Sequence, residues 1–323
     1  MRAAEIRTPG RPPLAVERAA PEPGPGETLV EVGAAPITPL DLLCASGTSY
    51  FGRPSTPYVP GVQGVGTAGG RQVWFSTTAG MAPGDGSMAE LATVPVENIV
   101  ELPERFGDAG LIAVAALGLS AVAAHMALSL RGELAAGEQV LVLGAGGVVG
   151  QAAVQLARIA GARRVVAGAR SPGARARAEQ AGADAVVALD TDDVAELAGR
   201  FAAAADGPVD LVLDPLFGAA AAAAARTLRP GGRLVNLGGS AGETCPIDSA
   251  TLRSRSLRLL GYTNNELTPE QRAAAISVIA EHAMHGRLAV AHESVPLGEV
   301  EAAWRRQAAG AATGRIVLTP HPL

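Results

Sequence analysis

A glycine-rich turn is the segment of this 323-residue chain whose residue types and spacing best fit a defined chemistry. It follows a Val/Leu run at residues 140–143 and precedes a segment with small residues on one helical face. In a strand–turn–helix unit of this kind, Gly144 permits the tight turn, Gly147 lets the backbone approach phosphates, and Gly150 allows close helix–strand packing. The pyrophosphate of a dinucleotide then binds at the helix N-terminus. We predict cofactor contacts along the whole turn: Gly144, Ala145, Gly146, Gly147, Val148, Val149 and Gly150.

The residues after the turn distinguish the two nicotinamide dinucleotides. A chain that binds NAD normally has an acid about 20 residues after the glycines, which bonds the ribose 2′-hydroxyl. Here the first acid after the turn is Glu179, whereas Arg170 and Ser171 end the next predicted strand. A guanidinium beside a hydroxyl suits a 2′-phosphate. We predict NADPH, bound by Arg170 and Ser171 with support from Arg175; alternatively, Arg175 and Arg177 are solvated helix residues.

The sequence pattern changes from strand-like to alternating strand and helix near residue 100. Short strand patterns with proline and glycine turn signals extend to about residue 100 and predict a small β-rich domain. Alanine-rich helical stretches then alternate with short apolar runs at residues 140–143, 164–167, 185–188, 209–213, 233–237 and 256–262. Regular alternation of strand and helix indicates a parallel, doubly wound sheet. Pro230-Gly231-Gly232 predicts a turn before one of these strands.

Composition and charge argue against several classes of protein. Hydrophobic residues make up 48% and charged residues 18%, which is typical of a globular chain, and the net charge of −5 disfavours nonspecific nucleic-acid binding. The apolar stretch at residues 109–130 is interrupted by glycine, serine and histidine, so we interpret it as a buried helix pair and expect no stretch long and apolar enough to span a membrane. The N-terminus lacks the apolar run of a signal peptide, and Cys44 and Cys245 cannot form a disulfide framework. We expect a cytoplasmic protein with no nucleic-acid or membrane partner.

Further motifs occur in order along nearly the whole chain: PITPLD at residues 36–41, PGVQGVG at 60–66, VDLVLD at 209–214, PGGRLV at 230–235 and GRIVL at 314–318. With the glycine turn, this set resembles the medium-chain dehydrogenase/reductase superfamily, and within it the zinc-independent quinone oxidoreductase (ζ-crystallin-like) group. The resemblance implies an α/β fold in which a Rossmann doubly wound parallel sheet is joined to a GroES-like β-rich catalytic domain. Residues 1–118, completed by 264–323, would form the GroES-like substrate domain, and residues 119–263 the Rossmann NADPH-binding domain.

The same resemblance implies further contacts and a partner. Ser120 stands at a position that contacts the nicotinamide in similar proteins. Asn236 lies near the end of the predicted strand at residues 233–237, and Gly238 and Gly239 follow it; strand ends face the ligand in doubly wound folds. The strand at residues 256–262 is a plausible sheet edge, through which similar proteins form homodimers.

Residue types at the expected metal positions predict that no zinc is bound. In zinc-using members a cysteine stands where this chain has Thr38, and Gly-His-Glu where it has Gly61-Val62-Gln63. None of these side chains is a good zinc ligand. Without a Lewis acid the acceptor must already be electrophilic, as a quinone or an α,β-unsaturated carbonyl is. The charge that gathers on its oxygen then needs only hydrogen-bond donors.

Tyr50 and Thr38 are the catalytic candidates. Tyr50 lies in a loop where similar proteins often have a tyrosine lining the active site, so its hydroxyl is a possible proton donor; alternatively, its ring only packs. Thr38 is expected near the nicotinamide. Asp41 is favoured as a helix N-terminal residue rather than a catalyst.

These observations predict an NADPH-dependent, zinc-independent reductase that transfers hydride to a quinone or an enone C=C bond, with a small molecule as its substrate. Two alternatives stay open. One is an enoyl reductase dedicated to a biosynthetic pathway, because a fold cannot separate these activities. The other is a non-catalytic protein that binds or senses NADPH, which the intact cofactor motifs disfavour.

Overall fold

The computed structural model describes residues 1–103 and 106–321. This part of the chain divides into two compact units. Unit 1 contains Met1–Gly118, Thr268–Gly286 and Val290–Leu323, and unit 2 contains Leu119–Leu267 and Arg287–Ala289.

The division differs in two places from the expected boundary after residue 263. The chain returns from unit 2 to unit 1 after Leu267, and the short segment Arg287–Ala289 also belongs to unit 2. Ala289 is attached there because its carbonyl accepts a hydrogen bond from the Gln155 amide at 2.6 Å, while its N–H donates to the same side chain at 3.0 Å.

Unit 1 is mainly β-structure. Its strands and helices are β1 (Arg2–Glu5), β2 (Leu14–Glu17), β3 (Glu27–Pro36), α1 (Pro39–Ser46), β4 (Gln63–Ala68), β5 (Arg71–Ser76), β6 (Leu91–Pro95) and β7 (Ile99–Glu101), and later α8 (Pro269–Met284), β14 (His292–Pro296), α9 (Val300–Ala308) and β15 (Arg315–Thr319). The larger sheet has the order β14-β15-β3-β4-β5-β7, with β6 also paired to β3, while β1 pairs with β2. Its core includes Val32, Phe75, Met88 and Ile316, all at most 1% exposed.

Helix α2 (Asp108–Met126) is interrupted at Gly118, whose φ of 34° and ψ of −136° are not helical. The stretch Asp108–Arg131 reaches a mean hydropathy of 2.1, so by length and composition it is able to cross a membrane. This corrects the expectation that no stretch is long and apolar enough. The finding is weak evidence for a membrane, because 67% of that apolar window is buried inside the structure, as in the core helix of a water-soluble protein.

Unit 2 alternates strand and helix, as the sequence predicts. Its elements are β8 (Gln139–Leu143), α3 (Val148–Ile159), β9 (Arg164–Ala169), α4 (Pro172–Gln180), β10 (Ala185–Ala188), α5 (Val194–Ala204), β11 (Val209–Asp214), α6 (Gly218–Ala225), β12 (Leu228–Asn236), α7 (Ser249–Ser254) and β13 (Arg258–Gly261). The strands form a parallel sheet in the order β10-β9-β8-β11-β12-β13, so the strand order reverses between β8 and β11. Ligands of doubly wound sheets bind at the carboxyl ends of the strands at this switch point.

The predicted turn at Pro230-Gly231-Gly232 is instead an irregularity inside β12. Leu228 already pairs with Val209 of β11, and the next pair joins Arg233 to Leu211. The residues between Leu228 and Arg233 therefore bulge out of the ladder, and Gly231 takes a φ of +71° there.

Candidate cofactor-binding site

The glycine turn connects β8 to α3 at the switch point. Gly144 has a φ of +62°, a backbone conformation that residues other than glycine rarely adopt. Gly147 is the N-cap of α3 in extended conformation, and no side chain caps the helix there. The N-terminus of α3 is thus free of a side-chain acceptor, and its N–H groups and dipole favour an anion.

Two other glycines of the turn are required by close packing. A Cβ at Gly146 would lie 2.4 Å from the Cβ of Ala174 in α4, and a Cβ at Gly150 would lie 2.4 Å from the Cα of Ala145 and the carbonyl oxygen of Gly144. Gly150 is therefore needed because the first turn of α3 packs on the glycine turn itself. The sequence predicts that Gly150 allows the helix to pack on the strand, whereas in the structure it allows the helix to pack on the turn between them.

The next strand, β9, ends at the predicted 2′-phosphate residues. Ser171 is the N-cap of α4, and its hydroxyl oxygen accepts the N–H of Ala174 at 3.2 Å. Arg175 donates from Nη1 to the carbonyl oxygen of Arg170 at 2.7 Å, so it fixes the backbone of that residue. The Arg170 side chain is exposed and makes no ion pair within the described residues. This edge thus combines an available guanidinium, a hydroxyl and a helix N-terminus, which together suit a phosphate.

Asp214, which sequence reasoning overlooked, organises the end of β11. The side chain is fully buried, and its Oδ1 accepts the N–H groups of Leu216 at 2.9 Å and Phe217 at 2.8 Å. Burial raises the pKa of Asp214 against these hydrogen bonds. Phe217 has a φ of +61°, an unusual conformation for a bulky residue, at the N-cap of α6. An aspartate at the end of a buried apolar strand was the available signal.

The end of β12 carries the predicted residues Asn236, Gly238 and Gly239. The Asn236 amide donates to Asp214 Oδ2 at 3.0 Å and to the carbonyl oxygen of Gly238 at 2.8 Å. A Cβ at Gly238 would lie 3.0 Å from the Pro215 carbonyl oxygen, so the two loops run close together. Because β8, β9, β11 and β12 are parallel neighbours, their carboxyl ends bring the glycine turn, Arg170, Asp214 and Asn236 to one edge.

The remaining predicted residues are placed separately. Ser120 lies in unit 2, on α2 just beyond the interruption at Gly118, and is half-buried. Thr38 and Tyr50 lie in unit 1. Tyr50 is 76% exposed, with its ring centroid 4.2 Å from that of Phe51. Within residues 1–103 and 106–321, no group forms a hydrogen bond with the Tyr50 hydroxyl.

Thr38 begins helix α1. Its hydroxyl donates to Asp41 Oδ2 at 2.6 Å and accepts the Asp41 N–H at 3.2 Å, while the Thr38 N–H donates to the same carboxylate at 2.7 Å. This reciprocal pair is a capping box. The interpretation of Asp41 as a helix N-terminal residue is confirmed. The Thr38 hydroxyl would have to leave Asp41 before it donated to any ligand.

Asp41 also ties together the neighbouring segments of unit 1. Its Oδ1 accepts the Val62 N–H at 2.9 Å, and the buried Arg315 donates to the carbonyl oxygen of Ile37 at 2.9 Å. Burial raises the pKa of Asp41, opposed by the hydrogen bonds from Thr38 and Val62 and by the charge of Arg315. The same burial lowers the pKa of Arg315 to about 10.

The residues at the zinc positions of similar proteins have other partners. The Gln63 Oε1 accepts the indole N–H of Trp74 at 3.3 Å, and Val62 offers no ligand atom on its side chain. Among residues 1–103 and 106–321, no group of three or more His, Cys, Asp or Glu side chains is placed to hold a metal.

Comparisons with known proteins agree with this architecture. Residues 148–281 match the family described as zinc-binding dehydrogenase, a range that does not include Thr38 or residues 61–63. The chain is 28% identical over 320 residues to quinone oxidoreductase-like protein 2 of Bos taurus, covering 95% of this chain and 89% of that protein. It is also similar to the solved quinone oxidoreductase of Thermus thermophilus, described in a complex with NADPH, with a TM-score of 0.79 and 30% identity over 99% of this chain and 100% of that one.

A second kind of relative is much longer. The chain is 32% identical over 321 residues to a spectinabilin polyketide synthase system protein of Streptomyces orinoci. The match covers 95% of this chain but spans only 14% of the length of that relative.

Proposed function

Because the chain belongs to the quinone oxidoreductase-like group of medium-chain dehydrogenases/reductases, we propose that it uses NADPH to reduce a quinone or the C=C bond of an α,β-unsaturated carbonyl, without zinc. The observation that carries the proposal is the edge of unit 2, where the uncapped N-terminus of α3 is followed on the next strand by Arg170 and the N-terminus of α4. These groups fit a pyrophosphate and a 2′-phosphate, respectively.

NADPH, when bound, supplies the hydride from C4 of its nicotinamide ring. The chain's own residues bind and orient it. The first N–H groups of α3 bind the pyrophosphate, while Arg170 and Ser171 bind the 2′-phosphate, with Arg175 fixing the backbone of Arg170. Asn236, Gly238, Gly239 and Ser120 are proposed to contact the nicotinamide half.

The class of hydride acceptor is inferred from the side chains at the positions that bind zinc in other members. Thr38, Val62 and Gln63 provide no cysteine, histidine or carboxylate, so a simple ketone lacks the Lewis acid that activates it in zinc enzymes. A quinone or enone needs only a donor to the oxygen that gains charge and a proton. We assign the proton to Tyr50, since the Thr38 hydroxyl is bound to Asp41.

A screen of NADPH oxidation across a quinone, an enone, an enal and a simple ketone tests this function. Turnover of the first three but not of the ketone is the expected result. Reduction of the ketone alone contradicts the mechanism, as does zinc near one equivalent in the purified protein. Binding of NADPH without turnover of any acceptor would favour a sensing role.

An enoyl reductase dedicated to a biosynthetic pathway is the second candidate, favoured by the 32% identity to a polyketide synthase over 95% of this chain. An enoyl thioester added to the same screen separates the two candidates. A much higher kcat/KM on the thioester than on every quinone assigns the enzyme to acyl-chain reduction.

We also propose a homodimer formed through β13. This strand ends the sheet order of unit 2, and its Leu259 is 45% exposed. An exposed strand edge is a template for pairing with a second copy. Light scattering of the wild type is expected to give twice the chain mass, and Leu259→Lys to weaken the dimer; a monomeric wild type refutes the proposal.

A further inference from the structure

Arg177, interpreted from sequence as a solvated helix residue, is bonded to the glycine turn. It lies on α4 and is half-buried, and its Nε donates to the carbonyl oxygen of Gly146 at 2.9 Å. The same carbonyl accepts a second hydrogen bond, from Nε2 of the buried Gln151 in α3, at 3.0 Å. One carbonyl of the turn is thus held from two helices.

This carbonyl is well placed to control the phosphate-binding end of α3. The peptide group is planar, so fixing the Gly146 carbonyl also fixes the N–H of Gly147, the N-cap of α3. That N–H donates to the carbonyl oxygen of Gly144 at 3.0 Å, within the turn. The turn also rests against α4, because Gly146 leaves no room for a Cβ beside Ala174.

We infer that Arg177 is a positioning residue, which holds the pyrophosphate-binding turn in shape from α4 without touching the part of the cofactor that distinguishes NADPH from NADH. The inference rests on the proposed dinucleotide function. Both dinucleotides carry the pyrophosphate, so losing Arg177 should weaken both to the same degree.

Arg175, two residues earlier on the same helix, provides the matched control. Its guanidinium bonds the carbonyl oxygen of Arg170 rather than the turn, on the side proposed for the 2′-phosphate. Removing the same charge two residues away should therefore weaken NADPH alone. Loss of Arg177 is thus predicted to leave the preference between NADPH and NADH unchanged, whereas loss of Arg175 is predicted to reduce it.

The test is a titration of the full chain with NADPH and with NADH, followed by nicotinamide fluorescence, with the melting temperature of each variant as a record of folding. Arg177→Met is expected to raise both dissociation constants roughly tenfold and to leave their ratio unchanged, because Gln151 still holds the carbonyl. Arg177→Lys, which retains one donor and the charge, should recover part of the loss. Arg175→Met should raise the constant for NADPH only.

The outcomes separate the inference from the function on which it rests. If the wild type binds neither dinucleotide, the proposed function fails. If the wild type binds NADPH but Arg177→Met leaves both constants unchanged, or weakens NADPH alone, the positioning role is refuted. Should Arg177→Met not fold, Gln151→Leu removes the second donor to the same carbonyl, and equal weakening of both cofactors is again expected.

Discussion

The side-chain amide of Asn236 donates to the carboxylate of Asp214 at 3.0 Å, so the residue that ends β12 is held by the residue that ends β11. The other carboxylate oxygen, Oδ1, accepts the N–H groups of Leu216 and Phe217. One buried carboxylate therefore orders two neighbouring loops at the proposed cofactor edge.

Asp214→Asn tests this arrangement. Its amide oxygen can still accept the two backbone N–H groups, but its NH₂ then faces the NH₂ of Asn236, which must flip and lose its bond to the Gly238 carbonyl oxygen. We expect a loss of about 1–2 kcal/mol in the free energy of unfolding, measured by urea denaturation. Asp192→Asn, at an exposed position, should change it little; equal losses in both variants would contradict the assignment.

Gly147 and Gly150 should respond differently to alanine. A Cβ at Gly150 meets backbone atoms at 2.4 Å, whereas at Gly147 the nearest atom within the protein is the Gly144 carbonyl oxygen at 3.4 Å. Gly150→Ala is expected to lower the melting temperature by several degrees. Gly147→Ala should fold normally but bind NADPH at least tenfold more weakly, since the proposed role of Gly147 is to let the backbone approach the phosphates and a methyl group would keep them apart. Unchanged fluorescence titrations for Gly147→Ala would argue against a phosphate there.

Arg170→Ala should discriminate between the cofactors. The guanidinium is proposed to bind only the 2′-phosphate, so the KM for NADPH is expected to rise roughly tenfold or more while that for NADH changes little. Arg163→Ala is the matched control, because Arg163 pairs with Asp206 away from this edge. A parallel rise for both cofactors would contradict the assignment of the 2′-phosphate site.

Asp190 and Arg200 form an ion pair that should tune the same preference. Asp190 follows β10, whose Ala188 pairs with Ala169 of β9, and its carboxylate accepts Nη1 of Arg200 at 2.5 Å. That bond, aided by the charge of Arg175, lowers the pKa of Asp190. Without Arg200, the carboxylate would repel a phosphate bound at Arg170.

Arg200→Gln is therefore expected to raise the dissociation constant for NADPH roughly threefold, with NADH unaffected, since screening by water and salt keeps such an exposed effect small. The double variant Asp190→Asn/Arg200→Gln should restore binding to the wild-type level. Calorimetric titration checks this, and a double variant as weak as the single one would assign the loss to structure instead.

Glu138 should make the stability of unit 2 depend on pH. Burial disfavours its charge, but hydrogen bonds from Arg233 and the Ala135 N–H outweigh that cost, so the pKa of Glu138 lies below its ordinary value. A lowered pKa in the folded state means that the stabilisation is present above the pKa of the unfolded chain, about 4.3, and is lost as the pH falls through the folded value.

Glu138→Gln is thus expected to cost about 2 kcal/mol at pH 7, since the carboxylate is only 15% exposed and bonds Arg233 through both oxygens. The difference from the wild type should shrink below about pH 4. Urea denaturation at both pH values measures it, with Glu97→Gln on an exposed turn as control. If the difference in unfolding free energy between Glu138→Gln and the wild type were the same at both pH values, the charge of Glu138 would not be the cause of that difference.

Local rules were sufficient for the parts of the molecule that depend on one residue and its neighbours. Gly144 was predicted from the conformation that a tight strand-to-helix turn requires, and it has the expected positive φ. The strand at residues 185–188 was predicted from its apolar run and occurs with the same bounds. The alternation of strand and helix then limits the sheet to a parallel, doubly wound order.

The remaining features depend on contacts between elements. The bond from Arg177 to Gly146 arises from how α4 packs on the turn, and the position of Asp190 beside the end of β9 follows from strand register. Neither is encoded in a local pattern. Thr38 and Asp41 are a different case, because the Thr-x-x-Asp spacing is a local signal for a capping box, and a threonine that caps a helix is less available as a catalyst.

The capping box also limits which side chains position 38 can carry. The position that would bear a cysteine ligand is here responsible for starting α1, through a hydroxyl that cysteine lacks. A cysteine at Thr38 would therefore remove the hydroxyl that caps α1 in the same step that supplied a thiolate, so a metal ligand at this position would come at the expense of helix initiation.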